Sequence, residues 1–130
     1  MMEDDSMETV IAPKAPAAIG PYSAAVKVGD LVFTSGQLPA DPATGNLVEG
    51  VSAQTEQSLK NLSAVLEAAG SGLDKVIKTT CFLADMGDFA VFNEAYARYF
   101  KEHKPARSAV AVKALPKGAL VEIECVAALK

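Results

Sequence analysis

The chain has 130 residues, half of them apolar, no tryptophan and a formal net charge of −4. This length fits one domain with a real core, and the apolar share excludes long-range disorder. The lysines are dispersed among acids rather than clustered, so nucleic acid is an unfavoured partner, and no window approaches the roughly 18 continuous apolar residues of a membrane span.

Residues 1–10 are expected to be a short disordered tail, and residues 11–130 a single domain. The acidic start lacks the basic residues and apolar run of a secretory signal and the arginines of a transit peptide, so a cytoplasmic protein is expected. An organellar form with its targeting segment removed would read the same way. Ile11 to Gly20 is rich in Ala and Pro and reads as irregular. Gly20-Pro21-Tyr22-Ser23 is a turn signal. Ala24 to Val28, the Gly29-Asp30 pair and Leu31 to Ser35 read as a hairpin. Asp41 to Gly45 is a second tight turn.

Thr55, Leu59, Leu62, Leu66 and Ala69 recur at helical spacing, with Ser52 as the expected N-cap and Gly70 as the stop. Val76 to Leu83 reads as a buried strand. A second helix is expected after an Asp88 N-cap, with Phe89, Phe92, Tyr96 and Phe100 as its apolar stripe. Lys101, His103 and Lys104 then fall at its C-terminal end, where positive charge suits the helix dipole, and Pro105 ends it. Arg107 to Val112 and Leu120 to Leu129 are strands around a turn at Leu115 to Gly118. The order β-β-α-β-α-β-β predicts an α+β sheet with both helices on one face.

In the last strand, Val121, Ile123, Cys125 and Ala127 share one face, and Glu122, Glu124, Val126 and Ala128 share the other. The mixed second face suits a subunit interface holding a polar site, or equally an exposed face kept soluble by charge. Cys81 and Cys125 sit in apolar runs, with no CxxC pair and no Cys/His cluster. They are expected as buried free thiols in a reducing compartment, and no metal site is expected.

The chemistry-bearing residues concentrate near the C-terminus, in Pro105-Ala106-Arg107-Ser108-Ala109-Val110 and Val121-Glu122-Ile123-Glu124. Arginine clamps a carboxylate with two parallel hydrogen bonds, and a partly buried glutamate can handle a proton. Together they point to a small carboxylic acid bound on strands. Burial raises the pKa of Glu122 and a nearby Arg107 lowers it, which leaves the net direction open. A salt bridge between the two is the plain structural alternative.

These residues resemble the reactive intermediate deaminase family, also called Rid or YjgF. The resemblance runs from about Ala15 to Ala128. Its strongest part is Pro-Ala-Arg-Ser-x-Val with Glu-Ile-Glu downstream. Gly20 to Ser23, Thr34-Ser35-Gly36-Gln37, Val76 to Thr80, Asp88-Phe89 and Asn93 support it in the right order.

The resemblance implies a chorismate-mutase-like fold and a homotrimer with a central barrel of sheets, helices outside and clefts between subunits. It implies hydrolysis of 2-imino acids such as 2-iminobutanoate and 2-iminopropanoate, and of their enamine tautomers, to 2-oxo acids and ammonia. No cofactor is implied. The role would be to protect pyridoxal-phosphate enzymes from dehydratase products. The family's carboxylate-binding arginine falls on Arg107 and its catalytic glutamate on Glu122. Tyr22, Ser35, Gly36 and Asn93 match pocket-lining positions. Ala109 stands where the family often has cysteine, so only a backbone contact with substrate is expected there. Some relatives are described as endoribonucleases or translation inhibitors, and relatives without a complete site exist, which adds a small-ligand sensor or chaperone-like binding module. Those are the alternative functions.

Overall fold

The computed structural model describes residues 6–130. Six strands form one sheet: β1 (Glu8–Val10), β2 (Ala25–Val28), β3 (Leu31–Thr34), β4 (Val76–Leu83), β5 (Ala106–Ala111) and β6 (Val121–Ala128). Two α-helices pack on it, α1 (Val51–Ala69) and α2 (Phe89–Ala97). The spatial order is β1-β2-β3-β6-β4-β5, with every pair antiparallel except β4/β5. A strand, a helix and a parallel strand in succession (β4-α2-β5) account for that exception.

The alternation read in the last strand decides how the layers stack. Val121, Ile123, Cys125 and Ala127 are buried and join Leu59, Leu62, Val65 and Leu66 of α1 and Phe92 and Tyr96 of α2 in one core. Both helices therefore cover the same face of the sheet. The residues between them, Glu122, Glu124, Val126 and Ala128, are only partly buried on the open face. That face also carries Phe33 and Val110, 45% and 44% exposed.

Several expected boundaries move, each for a local reason. Glu8–Val10 is not tail but an edge strand paired with Ala25–Lys27. The remainder of the expected tail, residues 1–5, lies outside the described residues. The observed order is accordingly β-β-β-α-β-α-β-β. Helix α1 is capped two residues before the expected Ser52, because the chain enters it through Gly50 at φ 90°, a conformation glycine adopts freely. At its other end Gly70 adopts the left-handed cap, and its N–H reaches the last-turn carbonyls. Asp88 precedes α2 without a side-chain cap, since a 3-10 turn over Met86–Asp88 runs straight into the helix. Asp85 caps that turn instead, accepting from Gly87 N at 2.8 Å. Helix α2 stops at Ala97, short of Lys101. The chain after it is held by His103, whose Nε2 meets the Val76 carbonyl at 2.5 Å, tying this stretch to the start of β4.

Helix α1 also buries polar side chains that its apolar stripe does not announce. Asn61, 1% exposed, donates to the carbonyls of Leu38 and Ala40 at 3.0 and 2.9 Å. Gln54 donates to Val48 O at 2.9 Å and accepts from Leu120 N at 2.8 Å. These amides fasten the loop after β3, and the entry to β6, onto the helix. Asn61→Leu keeps the branched shape but strips both carbonyls of their donor. It is expected to lower unfolding stability by about 2–4 kcal/mol, read from urea denaturation at fixed protein concentration. A loss below about 0.5 kcal/mol would mean that water replaces the amide.

Candidate functional site

The strand register divides the chemistry-bearing residues between the two sides of the sheet. On the parallel pair, Arg107 lies opposite Thr79 and Ala109 opposite Cys81. Thr79 and Cys81 are fully buried, so Arg107 and Ala109 belong to the helix-covered face, at the edge of the sheet. The Arg107 guanidinium lies over three α2 rings, 4.9 Å from the centroid of Tyr96, 5.5 Å from Phe89 and 5.9 Å from Phe92. Its Nη1 donates to Asn93 Oδ1 at 2.6 Å. Among the described residues it has no carboxylate partner. The cation is thus oriented by ring faces and one amide, leaving donors free for an anion.

Glu122 lies opposite Phe82 on β4, and Phe82 points away from the side taken by Thr79. Glu122 is therefore on the open face, and within one chain it cannot form the salt bridge to Arg107 that the sequence allowed. Burial pushes its carboxyl above the usual value of 4.5, and Glu124 on the same face adds to the shift. The direction left open by the sequence is upward, since the sheet separates the arginine from this carboxylate.

A β-bulge brings the Ser35-Gly36 stretch to Glu122. Phe33 pairs with Val126 but Gln37 bridges Ile123, so one extra residue is fitted on the β3 side. Thr34 Oγ1 accepts from Cys125 N at 3.0 Å where the ladder is interrupted. Ser35 Oγ donates to Ser23 O at 2.7 Å, and Gln37 Nε2 donates to Ser35 O at 3.3 Å. Gly36 faces the glutamate directly. A Cβ there would overlap Glu122 Oε2 and lie 2.8 Å from Cδ and 3.1 Å from Cγ. The glycine is needed for room, not for an unusual φ.

Tyr22 is next to Ser23 in the turn after Gly20. It is 52% exposed, so it is not the core aromatic that was one reading of the sequence. Its ring lies against Gly20, and its hydroxyl accepts from Ile19 N at 3.3 Å. The structure thus brings Arg107, Asn93 and Ala109 together on one side. Glu122 and Gly36 meet on the other, with Ser35 next to Gly36 and bonded to Ser23, which follows Tyr22, and the two groups do not meet within one chain. The sequence reading did not foresee the aromatic faces beneath the guanidinium or the role of Gln37 in holding Ser35. Helical spacing of the rings was visible, but their use as a cation platform depends on where β5 docks.

A one-layer α+β sheet with an edge arginine and an open-face glutamate beside a glycine bulge defines the class of protein. A family profile described as Endoribonuclease L-PSP matches residues 12–129, and the chain belongs to this family, the Rid/YjgF reactive intermediate deaminases. It is 50% identical over 123 residues to the 2-iminobutanoate/2-iminopropanoate deaminase of Salmonella typhimurium, covering 92% of this chain and 96% of that one. The YjgF gene product of E. coli superposes with a TM-score of 0.91 at 45% identity, over 95% of this chain and 99% of that one. E. coli TdcF, whose crystal structure has bound serine, superposes with a TM-score of 0.90 at 43% identity over 95% and 99%. No helix among the described residues is long and apolar enough to cross a membrane.

The raised pKa of Glu122 has a stability consequence. Its folded pKa exceeds its unfolded one, so the folded state is favoured by protonation. That contribution is fully present below the unfolded pKa and is lost as pH rises through the folded value. In a single chain, where the sheet keeps Arg107 away, Glu122→Gln, which stays neutral, should therefore raise Tm at pH 7. The gain should shrink as pH falls and disappear below about pH 4. Melting curves of both proteins across this range would test it. An equal Tm difference at every pH would attribute the effect to packing.

Proposed function

We propose that this protein hydrolyses small 2-imino acids, such as 2-iminobutanoate and 2-iminopropanoate, to 2-oxo acids and ammonia. The observation that carries this reading is the Arg107 guanidinium, held on three ring faces and Asn93 with no carboxylate partner among the described residues. Arg107 binds the substrate carboxylate, Asn93 fixes the guanidinium, and Ala109 contributes backbone. Glu122 accepts a proton from the water that adds to the carbon of the protonated imine, giving a neutral carbinolamine. It returns that proton to the nitrogen, then takes the hydroxyl proton as the C–N bond breaks, leaving the 2-oxo acid and ammonia. Burial raises the pKa of the Glu122 carboxyl and the arginine of a neighbouring copy would lower it, so the group can both take and return the proton. Gly36 and Ser35 shape the wall beside Glu122, and Tyr22 borders it. Family membership and the deaminase name of the Salmonella relative support the reaction class, and the bound serine of TdcF supports a small amino-acid-like ligand.

The site is completed between subunits. Arg107 and Glu122 lie on opposite faces of one sheet, so they converge only if a second copy brings its Glu122 to the first copy's Arg107. The half-exposed Phe33 and Val110 give the open face an apolar surface for such an assembly. A homotrimer is the assembly that the family resemblance implies. The free, buried Cys81 and Cys125 suit a reducing compartment such as the cytoplasm. RNA cleavage, the activity in the family description, is the weaker reading. The chain is acidic, and its one histidine, His103, is engaged with Val76 O rather than lying beside Arg107 or Glu122.

The test is a coupled assay. An amino-acid oxidase makes the imine from alanine or 2-aminobutyrate, and semicarbazide traps it. The protein should suppress semicarbazone formation, and Arg107→Ala should not. Equal suppression by both proteins would sink the assignment, and so would suppression by neither across several amino acids.

A further inference from the structure

The three aromatic residues of α2 do more than fill the core. Phe89, Phe92 and Tyr96 present their faces to Arg107, and Tyr96 is the nearest at 4.9 Å. Tyr96 is 7% exposed, and its hydroxyl shares a 2.8 Å hydrogen bond with Thr79 Oγ1, which is fully buried. Thr79 is the strand residue opposite Arg107. The ring that carries the guanidinium is therefore fastened to the residue across from the arginine's own backbone. A closed loop results: Arg107 on β5, Thr79 on β4, the Tyr96 hydroxyl, the Tyr96 ring, and the guanidinium again. Burial pushes the Tyr96 phenol up to about 12, so it keeps the proton that this bond shares. Phe92 and Phe100 flank Tyr96 with centroids at 5.5 and 4.9 Å and restrict the ring.

We propose that Tyr96, anchored by Thr79, is a positioning residue that fixes the plane of the Arg107 guanidinium for two-point binding of the substrate carboxylate, with Phe89 as the outer part of the platform. The assignment rests on the deaminase reading for its substrate and on the geometry for its residues. A flexible arginine loses entropy when it clamps an anion, and a ring face that already holds the fork reduces that loss. Asn93 alone restrains one nitrogen. The carboxylate is bound alike in ground and transition states, so loosening the platform should raise KM and leave kcat nearly unchanged. A defect of folding alone would instead lower kcat through the active fraction and leave KM in place.

The experiment compares the full-length wild type with Tyr96→Leu, Tyr96→Phe, Thr79→Val and Phe89→Leu. It reads kcat and KM for imine hydrolysis, and the Kd of 2-oxobutanoate by NMR titration. Tyr96→Leu should raise KM and Kd about tenfold, with kcat within about threefold, in the range of a buried cation–π contact. Tyr96→Phe keeps the face but loses the Thr79 anchor and should raise Kd about threefold, well short of Tyr96→Leu, and Thr79→Val should do the same. Phe89 is only partly buried, so Phe89→Leu should fold even if Tyr96→Leu does not. It should raise Kd about threefold. Unchanged Kd in Tyr96→Leu, or in Phe89→Leu if the former fails to fold, would overturn the proposal while leaving the deaminase assignment standing. So would a loss in Tyr96→Phe as large as in Tyr96→Leu. Wild type that binds 2-oxobutanoate but hydrolyses no imine would remove the deaminase assignment, and the Kd series would still decide the role of Tyr96. Wild type that binds no 2-oxo acid would overturn both.

Discussion

Arg107→Ala should reduce kcat/KM for imine hydrolysis by about 10²–10³-fold, in line with the loss of a charge-assisted, two-point contact. The fold should hardly notice. Arg107 lies on the edge strand β5 and is only partly buried, and its polar partner Asn93 is exposed and can turn to water. The variant should keep the wild-type sedimentation profile, with Tm within a few degrees. Arg107→Lys separates charge from geometry. It retains the cation but not the planar fork, and an ammonium stacks less well over the rings of Phe89, Phe92 and Tyr96. Activity should recover only in part, to within about 10–100-fold of wild type. Full activity in the lysine variant would show that a point charge suffices and that the ring platform has no bearing on binding. A collapsed assembly in Arg107→Ala would mean that the arginine is an interface residue first.

Much of the architecture was legible because its signals are local. The 3.6-residue stripe of Thr55, Leu59, Leu62, Leu66 and Ala69 is buried as its spacing required. The alternation in β6 separates core from open face residue by residue. Strand β1 escaped notice because three residues of which two are exposed carry no period, and its pairing with β2 is formed across the intervening Ala/Pro-rich segment. The end of α2 was misplaced because basic residues suit both a last helical turn and the loop beyond it. What separates these is the bond from His103 to Val76, a contact 27 residues apart. The site shows the same division. Sequence placed Arg107 and Glu122 on strands, but which faces they occupy depends on the register of β5 and β6 against β4, a non-local fact. Asn93, which could have been a solvated helix position, is the hydrogen-bond partner of Arg107.

Gly36→Ala should lower kcat about 100-fold with KM changed only a few-fold, a magnitude within that of losing a positioned general base. The added methyl would overlap Glu122 Oε2 and crowd Cδ and Cγ, all atoms of a flexible side chain. The glutamate can therefore rotate away at small cost to the fold, while its carboxylate leaves the position from which it handles the water. The backbone of the bulge is held separately, by Ser35 on Ser23 and by Gln37 on Ser35, so it does not have to move with the side chain. Glu122→Gln should cause a similar loss by a different route, keeping the position and removing the basicity. If both substitutions act on the same carboxylate, their effects cannot add. The double variant should be about as slow as the slower single one. Multiplied losses would mean that Gly36 serves the substrate through its own backbone, independently of Glu122. Wild-type kcat in Gly36→Ala would mean that the carboxylate works equally well displaced, a result at odds with its role as the positioned base.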